Sequence, residues 1–399
     1  MKITLSLFIL LFSAVQVSGQ SSSNFSLGFA DSVRSDVLKE QRPLLIYTPY
    51  QGKTQSSYPV LYVLDGENNF RSVSVTVERL ADMGLCPPMI VVGVPNTDRS
   101  RDLTPTTVAN NSDGVKNSGG GERFLTFIAK ELIPYIDKHY PTTSYKLLMG
   151  HSLGGLMVVQ AMVHHQKIFN AYIAVEPSIW WDNHKLLNEA KEALVKNSYA
   201  HKTLFLALAS HAEPGVDTLA VQADTTEQTQ LTRYNLDLIH YINKHPENKL
   251  RFAETYYPKD NHGTVPLIAA YDALRFVFDY YVFPRDSGHA ITNPNLPAVI
   301  TAHYQKITDE LGYRVLPDEP LVNNLGYYAL REKRFDMAGE LFALNVRNYP
   351  MDANPLDSYG DYYLAINDKK NARLNFQKAL AIKEIPETRA KLNLLLKDK

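Results

Sequence analysis

A single cysteine, Cys86, stands among 399 residues, so no internal disulfide can form. Its setting, LCPPMIVVGV, is that of a buried small hydrophobe rather than of a nucleophile. Neither sign of charge is in excess, because 41 Lys and Arg meet 42 Asp and Glu for a formal net charge of −1. That balance argues against a polyanion, whether nucleic acid or an anionic membrane surface, as the main partner. Long apolar runs are missing as well. Nothing reaches the roughly 18 apolar residues that a spanning helix needs.

The longest such run, residues 3–15, lies in MKITLSLFILLFSAVQVSGQ, behind Lys2 and ahead of Val17-Ser18-Gly19. This is the layout of a secretory signal peptide over residues 1–19, cleaved near Gly19. No cysteine sits at the cleavage point to carry a lipid, so the mature chain is expected to be exported, periplasmic or secreted, without a membrane span. What the chain does have is 45% hydrophobic residues over a length that suits two domains.

Short apolar, β-branched runs recur along the first part: LLIYTP (44–49), YPVLYVLDG (58–66), MIVVGVP (89–95), YKLLMG (145–150), AYIAVEP (171–177), TLFLALAS (203–210) and RFAETYYP (251–258). Runs that are continuous rather than alternating fit strands buried on both faces. Helical patterns fall between them. Phe124, Ile128, Leu132 and Ile136 form one stripe at spacings of four, in a helix that Pro134 is expected to kink. Alternating strand and helix predict an α/β fold around a mostly parallel sheet. Residues 108–121 are polar and glycine-rich and read as a loop.

A composition break at 284–298, PRDSGHAITNPNLPA, divides the chain into residues 20–285 and 286–399. In the second part Gly326, Tyr328, Leu330, Ala338 and Phe342 recur as Gly360, Tyr362, Leu364, Ala372 and Phe376, every pair 34 positions apart. This is the period of the tetratricopeptide helix-turn-helix, and it predicts a small all-α domain. Two units are too few to bury a core alone, so the module is expected to dock on its neighbour or to use 297–316 as a cap. It serves either as a structural extension or as a contact for a protein partner or a second copy.

The chemistry concentrates in KLLMGHSLGGL, where Gly150-His151-Ser152-Leu153-Gly154 follows a strand and precedes a helical pattern. Glycines on both sides permit a tight strand-to-helix turn that holds the Ser152 hydroxyl out at the sheet edge as a nucleophile. The same residue could instead serve as a helix N-cap. A serine needs a base, and KDNHGTV after the last strand offers His262 between turn residues. His151, His164 and His165 read as structural or solvated.

The carboxylate that orients the base must lie between the two in sequence, and Glu176 and Glu213, with Asp217 close by, compete for the role. Glu176 is preferred, because an acid between an apolar strand and Pro177 is unusual unless paired. The Leu153 amide, with that of Gly66 or Glu67 in LDGENNF, would receive a developing oxyanion. Trp180 and Trp181 could wall an acyl pocket or simply fill core. With amides doing the polarising, the scheme calls for no metal and no organic cofactor.

Taken in order, YVLDGENNF, VVGVPNTDRSRDLTP, GGGERF, GHSLGGL, VEPSIWWD and HGTV resemble the esterase family of α/β-hydrolases that includes feruloyl and acetylxylan esterases. The likeness is greatest to its periplasmic salmochelin and enterobactin esterase branch, and it runs over residues 25–285. It implies an α/β-hydrolase fold, carboxylic ester hydrolysis, Ser152 as nucleophile and His262 as base, with Arg99 and Arg101 near the substrate. A guanidinium there suits a carboxylate or catecholate oxygen. Each arginine could equally pair with Asp98 or Asp102. The expected substrate is a small-molecule or glycan-linked ester of siderophore lactone, feruloyl or acetyl type. An acyltransferase with the same triad and a non-catalytic binding protein working through its repeats are the alternatives.

Overall fold

The computed structural model describes residues 27–49, 57–108, 117–210, 221, 224–283 and 293–397. The expected signal peptide, the proposed boundary at 285, and Glu213 with Asp217 lie outside the described residues.

Eight strands form one sheet: β1 (Phe29–Ser35), β2 (Glu40–Tyr47), β3 (Tyr58–Leu64), β4 (Ile90–Val94), β5 (Thr142–His151), β6 (Ala171–Val175), β7 (Thr203–Ala209) and β8 (Arg251–Tyr257). Their spatial order is β1-β2-β4-β3-β5-β6-β7-β8. β1 pairs antiparallel with β2 and β2 with β4, and every other pairing is parallel. In β3, β4, β6 and β7 every residue is buried, because helices cover both faces. β1 is the strand the sequence pattern missed. It lies at the sheet edge and exposes or half-exposes most of FADSVRS, so no continuous apolar run marks it.

On one face α1 (Gly66–Asp82) and a later helix, Val265–Val277, pack Phe70, Val73, Val77, Ala273 and Leu274 against the sheet. On the other face lie α2 (Arg99–Asp102), α3 (Gly121–Phe127), α4 (Ile133–His139), α5 (Leu153–His164), α6 (Trp181–Lys196) and α7 (Gln230–Lys244); Val265–Val277 is α8. Phe124, Ile128, Leu132 and Ile136 are all buried, as their spacing predicts. The expected bend takes the form of a π turn, Ile128–Leu132, just before Pro134 in the first turn of α4. A proline ring crowds the carbonyl four residues back, and widening the preceding turn relieves that contact.

Beyond the sheet come α9 (Leu296–Leu311), α10 (Glu319–Arg331), α11 (Phe335–Asn348), α12 (Ala353–Ala365), α13 (Lys369–Ile382) and α14 (Pro386–Lys397). The 34-residue offset has a packing cause. A Cβ at Gly326 would stand 2.8 Å from the Phe342 ring, and one at Gly360 would collide with the Phe376 ring. Each glycine thus seats the phenylalanine of the following helix. α9 joins the two parts, since Leu296 and Ile300 belong to the helical core while Ile307 and Leu311 pack with Phe278 and Tyr280 under the sheet.

Candidate active site

β5 ends at His151 and α5 begins at Leu153, leaving Ser152 alone to make the turn, at φ 59 and ψ −117. A non-glycine residue holds a positive φ only where its surroundings enforce it. Here they do. A Cβ on Gly150 would collide with the backbone carbonyl of Gly154, and one on Gly155 would lie 2.9 Å from Cα of Pro177. The Ser152 amide donates to the Val175 carbonyl at 3.0 Å, which locks the turn to the end of β6.

Glu176, the next residue after β6, also has a positive φ, of 47, and its side chain is wholly buried. Its amide donates to the Ala207 carbonyl at 2.8 Å, while its Oε1 accepts the Ala209 amide at 2.7 Å. The other oxygen, Oε2, faces His262 Nδ1 at 3.1 Å. His262 comes from the turn after β8, where Asn261 Oδ1 accepts the amides of Gly263 and Thr264 at 2.9 and 3.1 Å. The structure therefore brings Glu176 and His262 together at the edge where Ser152 stands.

The Ser152 hydroxyl meets Ser178, Oγ to Oγ at 3.3 Å. Ser178 is a residue the sequence reading passed over, although it follows Glu176 by two positions. His151 packs its ring on that of His262, with centroids 4.3 Å apart. Burial, and then the neighbouring His262, push the His151 imidazole down to about 4, so it is neutral near pH 7. Its Nε2 is buried without a partner among the described residues.

Three helix-start amides belong to the elements that meet near this corner. Leu153 supplies the first of α5, and Gly66 and Glu67 the first two of α1, positions where a helix leaves N–H groups unused. Asp65 sets α1 in place with a left-handed turn at φ 52, and a Cβ on Gly154 would stand 3.1 Å from its Oδ2. The Asp65 carboxylate is gripped by Arg99, through Nε at 2.7 Å and Nη2 at 3.0 Å, and by Asn96 Nδ2 at 2.7 Å. Arg99 thus pairs with Asp65 rather than with Asp98 or Asp102, and its side chain remains 38% exposed.

Arg101 pairs with Asp102 at 2.7 Å and with Glu40 at 2.7 Å. These acids also hold Arg42, a fully buried guanidinium that touches Thr97 Oγ1 and lies 5.3 and 5.7 Å from the rings of Phe124 and Phe127. Of the two tryptophans, Trp181 is 2% exposed and donates to Thr106 Oγ1 at 3.1 Å, so it is core. Trp180 is half-buried. Among the described residues there is no cluster of three or more His, Cys, Asp or Glu that could hold a metal ion, and no helix long and apolar enough to cross a membrane.

Comparison with known proteins adds four findings. A family model described as "Putative esterase" matches residues 35–263. The siderophore enterobactin esterase of Emericella nidulans is 32% identical over 177 residues, covering 38% of this chain and 58% of that protein. The siderophore triacetylfusarinine C esterase of Aspergillus fumigatus is 30% identical over 158 residues, covering 36% of this chain and 52% of that protein. The chain therefore spans between half and two thirds of the length of these curated relatives. Among solved structures, an IroE-like serine hydrolase from Shewanella oneidensis superposes with a TM-score of 0.66 at 29% identity, over 80% of this chain and 99% of that one.

Proposed function

The chain belongs to this esterase family, and from that premise we propose that it cleaves carboxylic esters through an acyl-enzyme on Ser152. The observation that carries the reading is the buried Glu176 carboxylate on His262 Nδ1, beside a serine held at positive φ. With its Nδ1–H donated to Glu176, the imidazole keeps Nε2 as an acceptor. The Ser152 proton passes to Nε2 as Oγ bonds to the ester carbon. The carbonyl pair moves onto oxygen, where the amides of Leu153 and of Gly66 or Glu67 receive it. Collapse expels the alcohol, which takes the proton from Nε2. Water repeats the cycle and releases the acid.

The relatives' names favour a siderophore-type lactone as the substrate class. Arg99 would face its acidic or catecholate oxygens from the exposed side of the Asp65 pair, and Trp180 would flank the acyl group. Arg101, bound to Glu40 and Asp102, would act by keeping α2 in place. The division into an esterase part, 20–285, and a tetratricopeptide-like part, 286–399, and export behind a peptide cleaved near Gly19, belong to the same reading.

Intact-mass analysis after exposure to a fluorophosphonate tests it. One adduct on wild type and none on Ser152→Ala is the expected result. A folded wild type that takes no adduct refutes the serine mechanism. A positive result leads to a screen of trilactone, feruloyl and acetyl esters, in which turnover of the trilactone is expected to dominate.

A further inference from the structure

Ser178 is tied to Ser152 twice. Its amide donates to the Ser152 carbonyl at 3.1 Å, and its hydroxyl lies 3.3 Å from the Ser152 hydroxyl. The residue is 2% exposed, and its surroundings leave it little freedom. Its carbonyl accepts the Trp181 amide at 3.0 Å, and the preceding carbonyl, of Pro177, accepts Asn235 Nδ2 from α7 at 2.8 Å. A rigid turn thus presents one hydroxyl to another. At the same corner, His262 has its Nδ1 committed to Glu176.

We propose that Ser178 is a positioning residue that holds the Ser152 hydroxyl off the base while the site is empty. The proposal rests on the serine mechanism above. We assign the Ser152 O–H as the donor to Ser178 Oγ in the empty site, an arrangement that turns its proton away from His262 Nε2 and gives the oxygen no alkoxide character. A staggered step about the Cα–Cβ bond of Ser152 breaks that contact and brings the proton to Nε2. An ester carbonyl seated on the Leu153 and Gly66 amides favours this second position, because Oγ then gains a carbon to attack. Nucleophile and base thus engage when substrate is present. Without substrate, the hydroxyl is parked.

The contact is a neutral hydrogen bond at the long end of the range, so removing it should speed the activated step modestly. Ser178→Ala is expected to raise the rate constant for phosphonylation by a fluorophosphonate, and the acylation burst with p-nitrophenyl acetate, about two- to fivefold. Ser178→Thr, which restores a hydroxyl, should return both to the wild-type value. The gain should be confined to acylation, because an acylated Ser152 Oγ has no proton to park. A merely structural role would slow both half-reactions instead of speeding one. Acylation by Ser178→Ala that equals or falls below wild type overturns the proposal while leaving the serine mechanism intact. A wild type that takes no adduct overturns both.

Discussion

Glutamine in place of Glu176 keeps the volume of a wholly buried side chain and removes its charge. In the proposed mechanism His262 carries the Ser152 proton in the transition state, and the carboxylate 3.1 Å from its Nδ1 would stabilise the cation. Charge centres about 4 Å apart interact by about 4 kcal/mol at an effective dielectric constant near 20. The His262 side chain is 38% exposed, so solvent screening reduces this to about 2–3 kcal/mol. That corresponds to roughly a thirty- to two-hundredfold loss in acylation rate. Glutamine adds a second fault. Its Oε1 can still accept the Ala209 amide, but its NH2 then faces Nδ1 and favours the tautomer with the proton on Nε2, which cannot accept from Ser152. Glu176→Gln should therefore be at least as impaired as Glu176→Ala, in kcat/KM for p-nitrophenyl butyrate and in phosphonylation alike. A Glu176→Gln enzyme within threefold of wild type would refute the reasoning, and a large loss in Glu213→Ala would then move the role of the acid there.

Three further outcomes are expected. Gly150→Ala sets a Cβ against the Gly154 carbonyl, backbone on backbone, and should lower stability by about 2–4 kcal/mol in urea unfolding. His151 is held at about 4, below the ordinary 6.5, so the unfolded chain takes up that proton first. Its share of stability is full above about pH 6.5, falls as pH drops toward 4 and levels off below, a span worth roughly 3 kcal/mol. Unfolding of His151→Phe at pH 7 and pH 5 should show a smaller difference than wild type. Arg99→Lys keeps the charge but loses the two-pronged grip on Asp65, which seats the Gly66 and Glu67 amides. Its kcat should fall about tenfold through the Asp65 turn, and KM for a trilactone should rise because the exposed side of Arg99 faces that substrate; an unchanged kcat would show that the grip on Asp65 does not set the amides.

β3, β4, β6 and β7 were legible because strands covered on both faces need continuous apolar runs, and the other edge strand, β8, was legible from the aromatic and β-branched residues of RFAETYY; β1, FADSVRS, carries neither signal. Ser152 and His262 were legible for a related reason. A tight strand-to-helix turn requires glycines, and a histidine held at a sheet edge requires a turn after the last strand, so both leave local traces. Glu176 needed an argument about cost, that a carboxylate between AYIAV and proline must be paired, and the 3.1 Å contact with His262 is that pairing. Arg42 left no trace, since a lone arginine in a strand does not announce that Glu40 of its own strand, Asp102 of α2 and two phenylalanines of α3 converge on it. The partner of Arg99 was equally hidden. Asp65 lies 34 positions upstream, while Asp98 and Asp102 adjoin it. Ser178 was missed because a serine after a proline is unremarkable until the turn that carries it meets the one that carries Ser152.

α9 makes the two parts of the chain one thermodynamic object. Its first turns help fill the core of the repeats, and its last turns seal the underside of the sheet with Ile307 and Leu311. Cutting before it would uncover Phe278 and Tyr280 and leave the sheet with a wet face where a dry one was built. The repeats cannot be shed or exchanged as a cassette, and heating should melt them and the hydrolase sheet in a single transition. A change of sequence deep in α12 or α13 can therefore alter how long the distant serine survives, with no contact between them.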